Sequence, residues 1–402
     1  MTSDPTSSSS DPGRVRRAFL HIGLPKTGTT YLQHALWSNK DALRDAGMLL
    51  PGRHRRRHLL ASLDVREDPK LARRPGDVAA PWQDLVDECR DWDGDVVISH
   101  EFFGAASSEQ VARVVGTLEG FEVHVVVTAR SMTDLGLSRW QEWVKSGGKL
   151  GVDEYPQKQG YDPVDEWGWG SFDLASVLER WSAVVPPAQV HVLPVDPRGA
   201  PTDLWHRFAE LVGLDGSQFP VPEMPKNRSL GVVEVELLRR VNPLLTDFTS
   251  AGDRGHWIRG YLGEGEVLPA GREKFRAGEA KHRELTERAG RALEMLENGG
   301  YDVRGDLSLL EPSPLGDLRH PGEVRDTELL DAALVTIGNM LRDVRSLTRE
   351  RDRALHERDD LARRCEELSE RAGSGGIRGA HRLRSLRAAV TRYRARKLGE
   401  HT

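Results

Sequence analysis

The residues with the clearest chemical potential surround Lys26, in the stretch GLPKTGTT that spans residues 23–30. A lysine ammonium attracts anions, and threonine hydroxyls can donate hydrogen bonds to anionic oxygens. A helix that starts at the threonines would add unpaired backbone N–H groups and the positive end of its dipole. We therefore predict a phosphate-binding loop, built by Lys26, Thr27, Gly28, Thr29 and Thr30.

The elements around this loop are those that a phosphate-binding loop requires. Residues 19–22 form a short apolar run typical of a strand, and apolar residues recur at helical spacing over 31–36. The spacing differs from the Walker A motif, whose lysine directly follows the second glycine. Here the lysine precedes Gly28 by two positions, which argues against an ordinary ATPase or kinase. The alternative is a glycine-rich turn with a threonine cap and no ligand.

A second candidate site follows the apolar run at residues 95–99, where His100 and Glu101 stand side by side. In an open parallel sheet, ligands bind at the carboxyl ends of the strands, so titratable groups at this point are well placed for chemistry. A carboxylate or an imidazole there can act as a general base. We take Glu101 as the first candidate base and His100 as the second. In the alternative, Glu101 caps the next helix and His100 is only a strand-end residue.

A third candidate is an anion contact after the next strand. A valine-rich run at residues 121–129 leads into Arg130, and the helix predicted after it carries Ser138. A guanidinium offers a rigid fork of donors that suits a phosphate, and the serine adds a hydroxyl. The pattern is weak alone and becomes specific in combination with the first loop.

The sequence PKTGTT after a strand closely resembles the 5′-phosphosulfate loop of bacterial sulfotransferases that use 3′-phosphoadenosine-5′-phosphosulfate (PAPS). The resemblance spans about residues 17–312. It implies that Lys26 reaches the bridging oxygen and the sulfuryl group, and that residues 27–30 hold the 5′-phosphate. It also implies that Arg130 and Ser138 hold the 3′-phosphate, and that a glutamate after the strand at 95–99 is the base.

The resemblance implies one further contact with the donor. Lys226 and Arg228 precede a predicted helix and would close over the 3′-phosphate, although N-capping by Ser229 explains the same residues. No metal is expected, because lysine, arginine and the helix dipole would meet the charge of the leaving nucleotide.

Residues 147–170 contain six glycines that alternate with aromatic residues. Aromatic faces stack well on sugar rings, so this segment is a candidate lid over the acceptor; equally, its aromatics can pin a long loop onto the core. We expect sulfuryl transfer to a hydroxyl group of a carbohydrate or a lipid-linked glycan. The alternatives are a P-loop phosphotransferase that needs Mg²⁺ and a nucleoside triphosphate, and an inactive scaffold that acts through its C-terminal segments.

Composition sets limits on the remaining classes of function. The 402-residue chain has a net charge of only −5, so nothing global indicates nucleic-acid binding. Its two cysteines, Cys89 and Cys365, form neither a disulfide framework nor a metal set, which fits a reducing compartment. The serine-rich N-terminus lacks the apolar region of a signal peptide, and no apolar run is long enough to span a membrane. We expect a cytoplasmic protein.

These patterns predict an α/β fold of the P-loop type, in which helices flank a central, mostly parallel sheet. We expect residues 1–15 to be disordered, 16–312 to form the catalytic domain and 313–326 to be a linker. Residues 327–372 carry apolar residues at heptad spacing, beginning with Leu334 and Ile337. They predict a coiled coil and a homodimer, with a single charged helix as the alternative.

The last segment, residues 373–402, combines a glycine-rich hinge with a basic tail. Residues 377–398 carry seven arginines and one lysine without an acidic residue, and their apolar residues fall near helical spacing. This pattern predicts a basic amphipathic helix that contacts the inner face of a membrane peripherally. The alternatives are an electrostatic handle for an acidic protein, or no partner.

Overall fold

The computed structural model describes residues 14–74, 76, 78–157, 160–224 and 229–373. It divides the chain into two compact units, with the boundary between Ala333 and Leu334. Several predictions therefore lie outside the described residues: the disorder of residues 1–13, the anion contacts of Lys226 and Arg228, and the basic tail within 374–402.

The first unit is built on a six-stranded sheet in which every neighbouring pair of strands is parallel. The strands are β1 (Arg16–His21), β2 (Met48–Leu49), β3 (Asp95–Ser99), β4 (Phe121–Ala129), β5 (Val190–Pro194) and β6 (Asp302–Val303), in the spatial order 2-3-1-4-5-6. The predicted α/β class with a parallel central sheet is confirmed.

Helices flank this sheet and connect its strands. The α-helices are α1 (Thr29–Ser38), α2 (Lys40–Asp45), α3 (Arg56–Val65), α4 (Pro81–Arg90), α5 (Ser108–Thr117), α6 (Met132–Lys145), α7 (Leu174–Ser182), α8 (Pro201–Leu211), α9 (Val232–Val241), α10 (Ala251–Asp253), α11 (Glu279–Asn298) and α12 (Asp326–Gly373). A π-helix, Arg254–Glu264, follows α10 directly. Short 3-10 helices include Glu101–Ala105 and Trp169–Ser171.

Strand β1 shows why the core has two layers. Successive side chains of a strand point to opposite faces of the sheet. Ala18 and Leu20 accordingly belong to the apolar cluster on one face, and Phe19 belongs to the cluster on the other. Because both faces are covered, Ala18, Phe19 and Leu20 form a continuous apolar run, as is usual in buried parallel strands.

The order of the strands fixes where a ligand can bind. The chain leaves β1 toward β3 on one side, then crosses to β4 on the other, and β1 pairs with both. In open parallel sheets such a reversal leaves a crevice outside the carboxyl ends of the strands. The loop at 22–28, His100 and Arg130 all lie at this edge, since each directly follows one of these three strands.

Two local expectations were wrong. The amphipathic pattern over 271–298 predicts one long helix, but α11 begins only at Glu279. The residues before it use their backbone groups in other contacts: the Glu273 carbonyl accepts from Val232 N at 3.0 Å, and Phe275 forms a bridge with Arg319. Ser229 does not cap α9, whose N-cap is Gly231; its hydroxyl donates to Gln141 Oε1 at 3.2 Å instead.

The second unit, as far as it is described, is the part of α12 from Leu334 onward. The structure confirms a long helix in the region for which a coiled coil was predicted. Its apolar side chains are exposed; Leu347 and Leu361, for example, are 61% and 60% exposed. Among the described helices, none is long and apolar enough to cross a membrane.

Candidate functional site

The loop between β1 and α1 has the backbone geometry of an anion cradle. Lys26 has a φ of 69° and Gly28 a φ of 85°, both in the left-handed region. Glycine adopts that region freely, whereas a lysine does so at a cost. Gly28 is the N-cap of α1, and no side chain of the described residues caps this end. The first backbone N–H groups of the helix are therefore available to a ligand.

The hydroxyl of Thr27 serves the loop itself. Thr27 is buried, and its Oγ1 donates to the Leu24 carbonyl and lies 2.7 Å from the hydroxyl of Thr128 on β4. Leu24 N also donates to the Thr128 carbonyl at 2.8 Å. These bonds fasten the loop to the sheet, so the backbone N–H of Thr27, rather than its hydroxyl, is the group left to bind an anion.

The predicted base lies beside this loop. His100 N donates to the carbonyl of His21, the last residue of β1, at 3.0 Å, which places the segment after β3 next to the phosphate loop. Gln33 of α1 donates to Glu101 Oε2 at 3.0 Å. The segments that follow β1 and β3 therefore lie side by side at one edge of the sheet.

The protonation states of this pair differ from one another. Burial raises the pKa of Glu101, but His100, the Glu101 backbone N–H, Gln33 and His21 together outweigh burial and hold the pKa below its ordinary value. Burial lowers the pKa of His100, so its imidazole is neutral near pH 7. An ionised carboxylate and a neutral imidazole can both accept a proton, and both are held in place: Gln33 donates to Glu101 Oε2, and His100 Nδ1 accepts from Phe102 N at 3.2 Å.

A cleft of about 1460 Å³ opens at this edge of the sheet. Its lining brings together most of the predicted loop and the candidate bases: Lys26, Gly28, Thr29, Thr30, His100 and Glu101. Thr27 lies beneath its surface. The volume is large enough for a nucleotide together with part of a second substrate, since ligand pockets commonly measure about 300–1,000 Å³.

Helix α6 contributes a row of residues that the sequence analysis missed. Arg139, Glu142, Trp143 and Ser146 line the cleft, and their i, i+3, i+4 and i+7 spacing places them on one face of the helix. Glu142 is buried and binds two cations, with Oε2 3.2 Å from Lys26 Nζ and Oε1 2.7 Å from an Arg259 nitrogen. The spacing was visible in the sequence, but nothing there indicated which face met the loop.

Arg130 and Ser138 are not brought to this cleft. Arg130 lines a small separate cavity with Leu24 and Met132, and its guanidinium lies 3.8 Å from the Asp134 carboxylate. Ser138 is half-buried on α6 and is not among the described residues that line the cleft. Their role at the 3′-phosphate stays a prediction.

The π-helix supplies further cations. Arg254, Gly255, Ile258 and Arg259 line the cleft. The i→i+5 hydrogen bonding of a π-helix brings residues four and five positions apart onto one face, which explains how two arginines five positions apart share it. Such helices are rare and occur frequently at functional sites, and no pattern in the sequence predicted this one.

The aromatic segment at 147–170 divides between the two roles considered for it. Tyr155 and Trp169 are buried in the core. Trp167 lines the cleft together with Trp143, and both rings also line an adjoining cavity of about 260 Å³. The described residues thus include aromatics that anchor the segment and one, Trp167, that faces a ligand-sized space.

The comparisons with known proteins are sparse. The chain matches no model of a protein family, and no curated protein matches it. Among solved structures, a sulfotransferase from Alicyclobacillus acidocaldarius is similar with a TM-score of 0.36 and 16% sequence identity, over 61% of this chain and 96% of that one. A similarity at this level establishes neither the fold nor the activity of the present chain.

Proposed function

We propose that the protein is a sulfotransferase that moves a sulfuryl group from PAPS to an acceptor hydroxyl, on a carbohydrate or a lipid-linked glycan. The observation that carries the proposal is the loop with Lys26 at the uncapped start of α1, facing the cleft opposite Glu101. A lysine placed before the second glycine resembles the donor loop of that enzyme class and departs from the Walker A motif.

The proposed reaction assigns one task to each group. The acceptor oxygen forms a bond to sulfur as its proton passes to the Glu101 carboxylate, and the bond from sulfur to the bridging oxygen of the donor breaks. The leaving oxygen gains negative charge, which the Lys26 ammonium and the backbone N–H groups of residues 27–30 stabilise. Glu101 is ionised at neutral pH because its pKa is lowered, so the base is ready without a prior proton loss.

The donor's second phosphate, at the 3′ position, needs contacts of its own. Arg130 and Ser138 remain its predicted contacts, and in the structure Arg130 faces another cavity. Its role in binding therefore requires the guanidinium to turn toward the nucleotide. The substitution Arg130→Ala tests whether the guanidinium contacts the phosphate. If it does, losing that contact should make binding of adenosine 3′,5′-bisphosphate at least tenfold weaker.

The acceptor class is inferred from the cavity beside the cleft. Trp143 and Trp167 present aromatic rings to it, and Asp162 and Asp165 add carboxylates to its lining. Rings of this kind stack on flat or apolar faces, and carboxylates accept hydrogen bonds from hydroxyl groups. A sugar ring offers both an apolar face and hydroxyls, which is why we favour a carbohydrate.

Calorimetric titration distinguishes this function from its alternatives. We expect adenosine 3′,5′-bisphosphate to bind with micromolar affinity without a divalent cation. Binding of ATP only with Mg²⁺ would favour a phosphotransferase, and binding of neither would favour a scaffold. A positive titration is followed by transfer of labelled sulfate from PAPS into a cell extract, with identification of the labelled product.

A further inference from the structure

The contact between Lys26 and Glu142 has the geometry of an occupied anion site. The two oxygens of one carboxylate each bind a different cation: Oε2 lies 3.2 Å from Lys26 Nζ, and Oε1 lies 2.7 Å from Arg259. The carboxylate is only 8% exposed, so solvent screens these attractions weakly. A phosphate or sulfuryl group would present a similar pair of oxygens to the same two cations.

The charge state of Glu142 supports this description. Burial alone raises the pKa of Glu142, but Lys26, Arg259 and Lys145 outweigh burial and lower the pKa below its ordinary value. The carboxylate is therefore charged at neutral pH. A loop lysine held by a carboxylate cannot give its full charge to a ligand, because the two anions compete for one ammonium.

We propose that Glu142 is a positioning residue. In the free enzyme its carboxylate binds Lys26 at the place of the donor's anionic group, and it releases Lys26 when the donor binds. The proposal rests on the proposed function and adds to it a residue that the loop motif does not contain. In the free enzyme, Glu142 keeps the ammonium directed into the cleft. On binding, Lys26 exchanges Glu142 Oε2 for the donor's bridging oxygen, while Arg259 keeps the carboxylate ionised and in place.

Two consequences follow from this exchange. Separating Lys26 from Glu142 costs free energy when the donor binds, so the carboxylate weakens donor binding. The same carboxylate recaptures Lys26 after transfer, which favours release of the bisphosphate product. Removing the charge of Glu142 should therefore tighten nucleotide binding and slow turnover together, a combination that simple loss of structure would not produce.

The test is the variant Glu142→Gln, with Glu264→Gln as the matched control. Glu264 also binds Arg259, at 3.0 Å, and is not among the residues that line the cleft. Titration of full-length protein with adenosine 3′,5′-bisphosphate should show about tenfold tighter binding for Glu142→Gln and less than a twofold change for Glu264→Gln. In a Lys26→Met background, the effect of Glu142→Gln should shrink to less than threefold, because no ammonium remains to be released.

Unchanged or weaker binding by Glu142→Gln, or an equal effect in the Lys26→Met background, would overturn the proposal. A second probe separates this failure from failure of the proposed donor. Pyrophosphate presents the anionic oxygens without the nucleoside, so its affinity should rise in Glu142→Gln even if the bisphosphate binds to no variant. An unchanged affinity for pyrophosphate would refute the exchange itself.

A different observation, on helix α12, carries a second inference. Apolar side chains occupy a and d positions of one heptad register along its exposed length: Ile337, Met340, Val344, Leu347, Ala354, Leu361, Cys365 and Leu368. This register differs from that of the sequence analysis, which began at Leu334, and it continues further toward the end of the helix. Exposures of 54% at Ile337 and 61% at Leu347 show that no described residue covers the stripe.

We infer that this stripe pairs with the same stripe of a second copy, parallel and in register. The stripe is interrupted at Arg351 and Arg358, which occupy core positions of the heptad. Glu350 and Glu357 precede them at the flanking g positions. In a parallel pair, each arginine meets the glutamate of the opposite copy, so the charges complement each other across the interface.

Cys365 makes the inference testable, since a parallel pair places the two Cys365 residues in one core layer. Mild oxidation of the full-length protein should give a disulfide-linked dimer that Cys365→Ser abolishes, and light scattering should give twice the chain mass. The double variant Glu350→Lys with Glu357→Lys should make the dimer at least tenfold weaker. A monomer would overturn the pairing, and a dimer that does not cross-link would overturn the parallel register.

Discussion

The variant Lys26→Met tests the central assignment. Methionine keeps most of the length of the side chain and removes its charge. In the proposed transition state the ammonium lies about 3 Å from an oxygen that gains about half a charge. At an effective dielectric of about 20, the lost attraction is about 3 kcal/mol. We therefore expect turnover to fall by about 100-fold or somewhat more.

The fold should survive this change for a structural reason. Glu142 keeps its second partner, because Arg259 remains 2.7 Å from Oε1. Circular dichroism and the unfolding midpoint should therefore stay close to wild type. The backbone gives a further check: with a φ of 69° at this position, Lys26→Gly should be more stable than Lys26→Ala by about 1 kcal/mol, although both lose activity.

The assay is transfer of labelled sulfate from PAPS into extract, run beside Lys274→Met. Lys274 is exposed and is not among the residues that line the cleft, so its loss should leave the rate unchanged. Activity in Lys26→Met within tenfold of wild type would refute the role of the ammonium. A large loss accompanied by a lowered unfolding midpoint would refute the claim that the fold is independent of it.

Three further outcomes follow from the structure. Glu101→Gln should lower turnover by about 100-fold or more with little change in bisphosphate affinity. Because the pKa of Glu101 is lowered, the wild-type rate should not fall between pH 8 and about pH 5. Since burial lowers the pKa of His100 from its ordinary value of 6.5, a rate that falls along a limb within this range but below pH 6.5 would point to His100 instead. Burial lowers the pKa of both His21 and His58 to about 4 from 6.5, so below pH 6.5 the unfolded chain binds protons that the folded chain does not. The free energy of unfolding should therefore decrease as the pH falls below 6.5, and at pH 5 the loss should be about 2 kcal/mol for each histidine. Equal urea midpoints at pH 7.5 and 5 would contradict this. Gly28→Ala should destabilise the protein by about 1–3 kcal/mol, because the φ of Gly28 is +85° and an added Cβ would lie 2.6 Å from Leu204. A thermal midpoint equal to that of wild type would contradict this and would show that the loop can relax.

Much of this architecture could be predicted because its signals are local. The apolar runs at β1, β3 and β4 and the turn residues between them specify strands and loops by themselves. Parallel pairing then brings the segments after those strands to one edge, and Lys26 and Glu101 accordingly line the same cleft.

The remainder depends on contacts between distant segments. The sequence shows Glu142 as an ordinary helix residue, and only the packing of α6 beside the loop makes it the partner of Lys26. His58 lies in an arginine-rich stretch, yet it is buried and its Nδ1 accepts from Ser99 N at 3.1 Å. Arg130 follows its strand as predicted, but side-chain direction after a strand end is not a local property, and the guanidinium faces another cavity.

The π-helix gives the cleft a sensitivity to chain length. Its turns hold more residues than those of an α-helix, and each residue of an α-helix advances about 100° around the axis at 3.6 residues per turn. Deleting a single residue between Arg254 and Arg259 would let the segment rewind as an α-helix, with the two arginines four positions apart and still on one face. Inserting a residue there would place them six positions apart, and the second arginine would turn away from Glu142. An insertion of one residue in this segment would therefore change the charge facing the loop as effectively as a substitution within it, whereas a deletion would leave that charge in place.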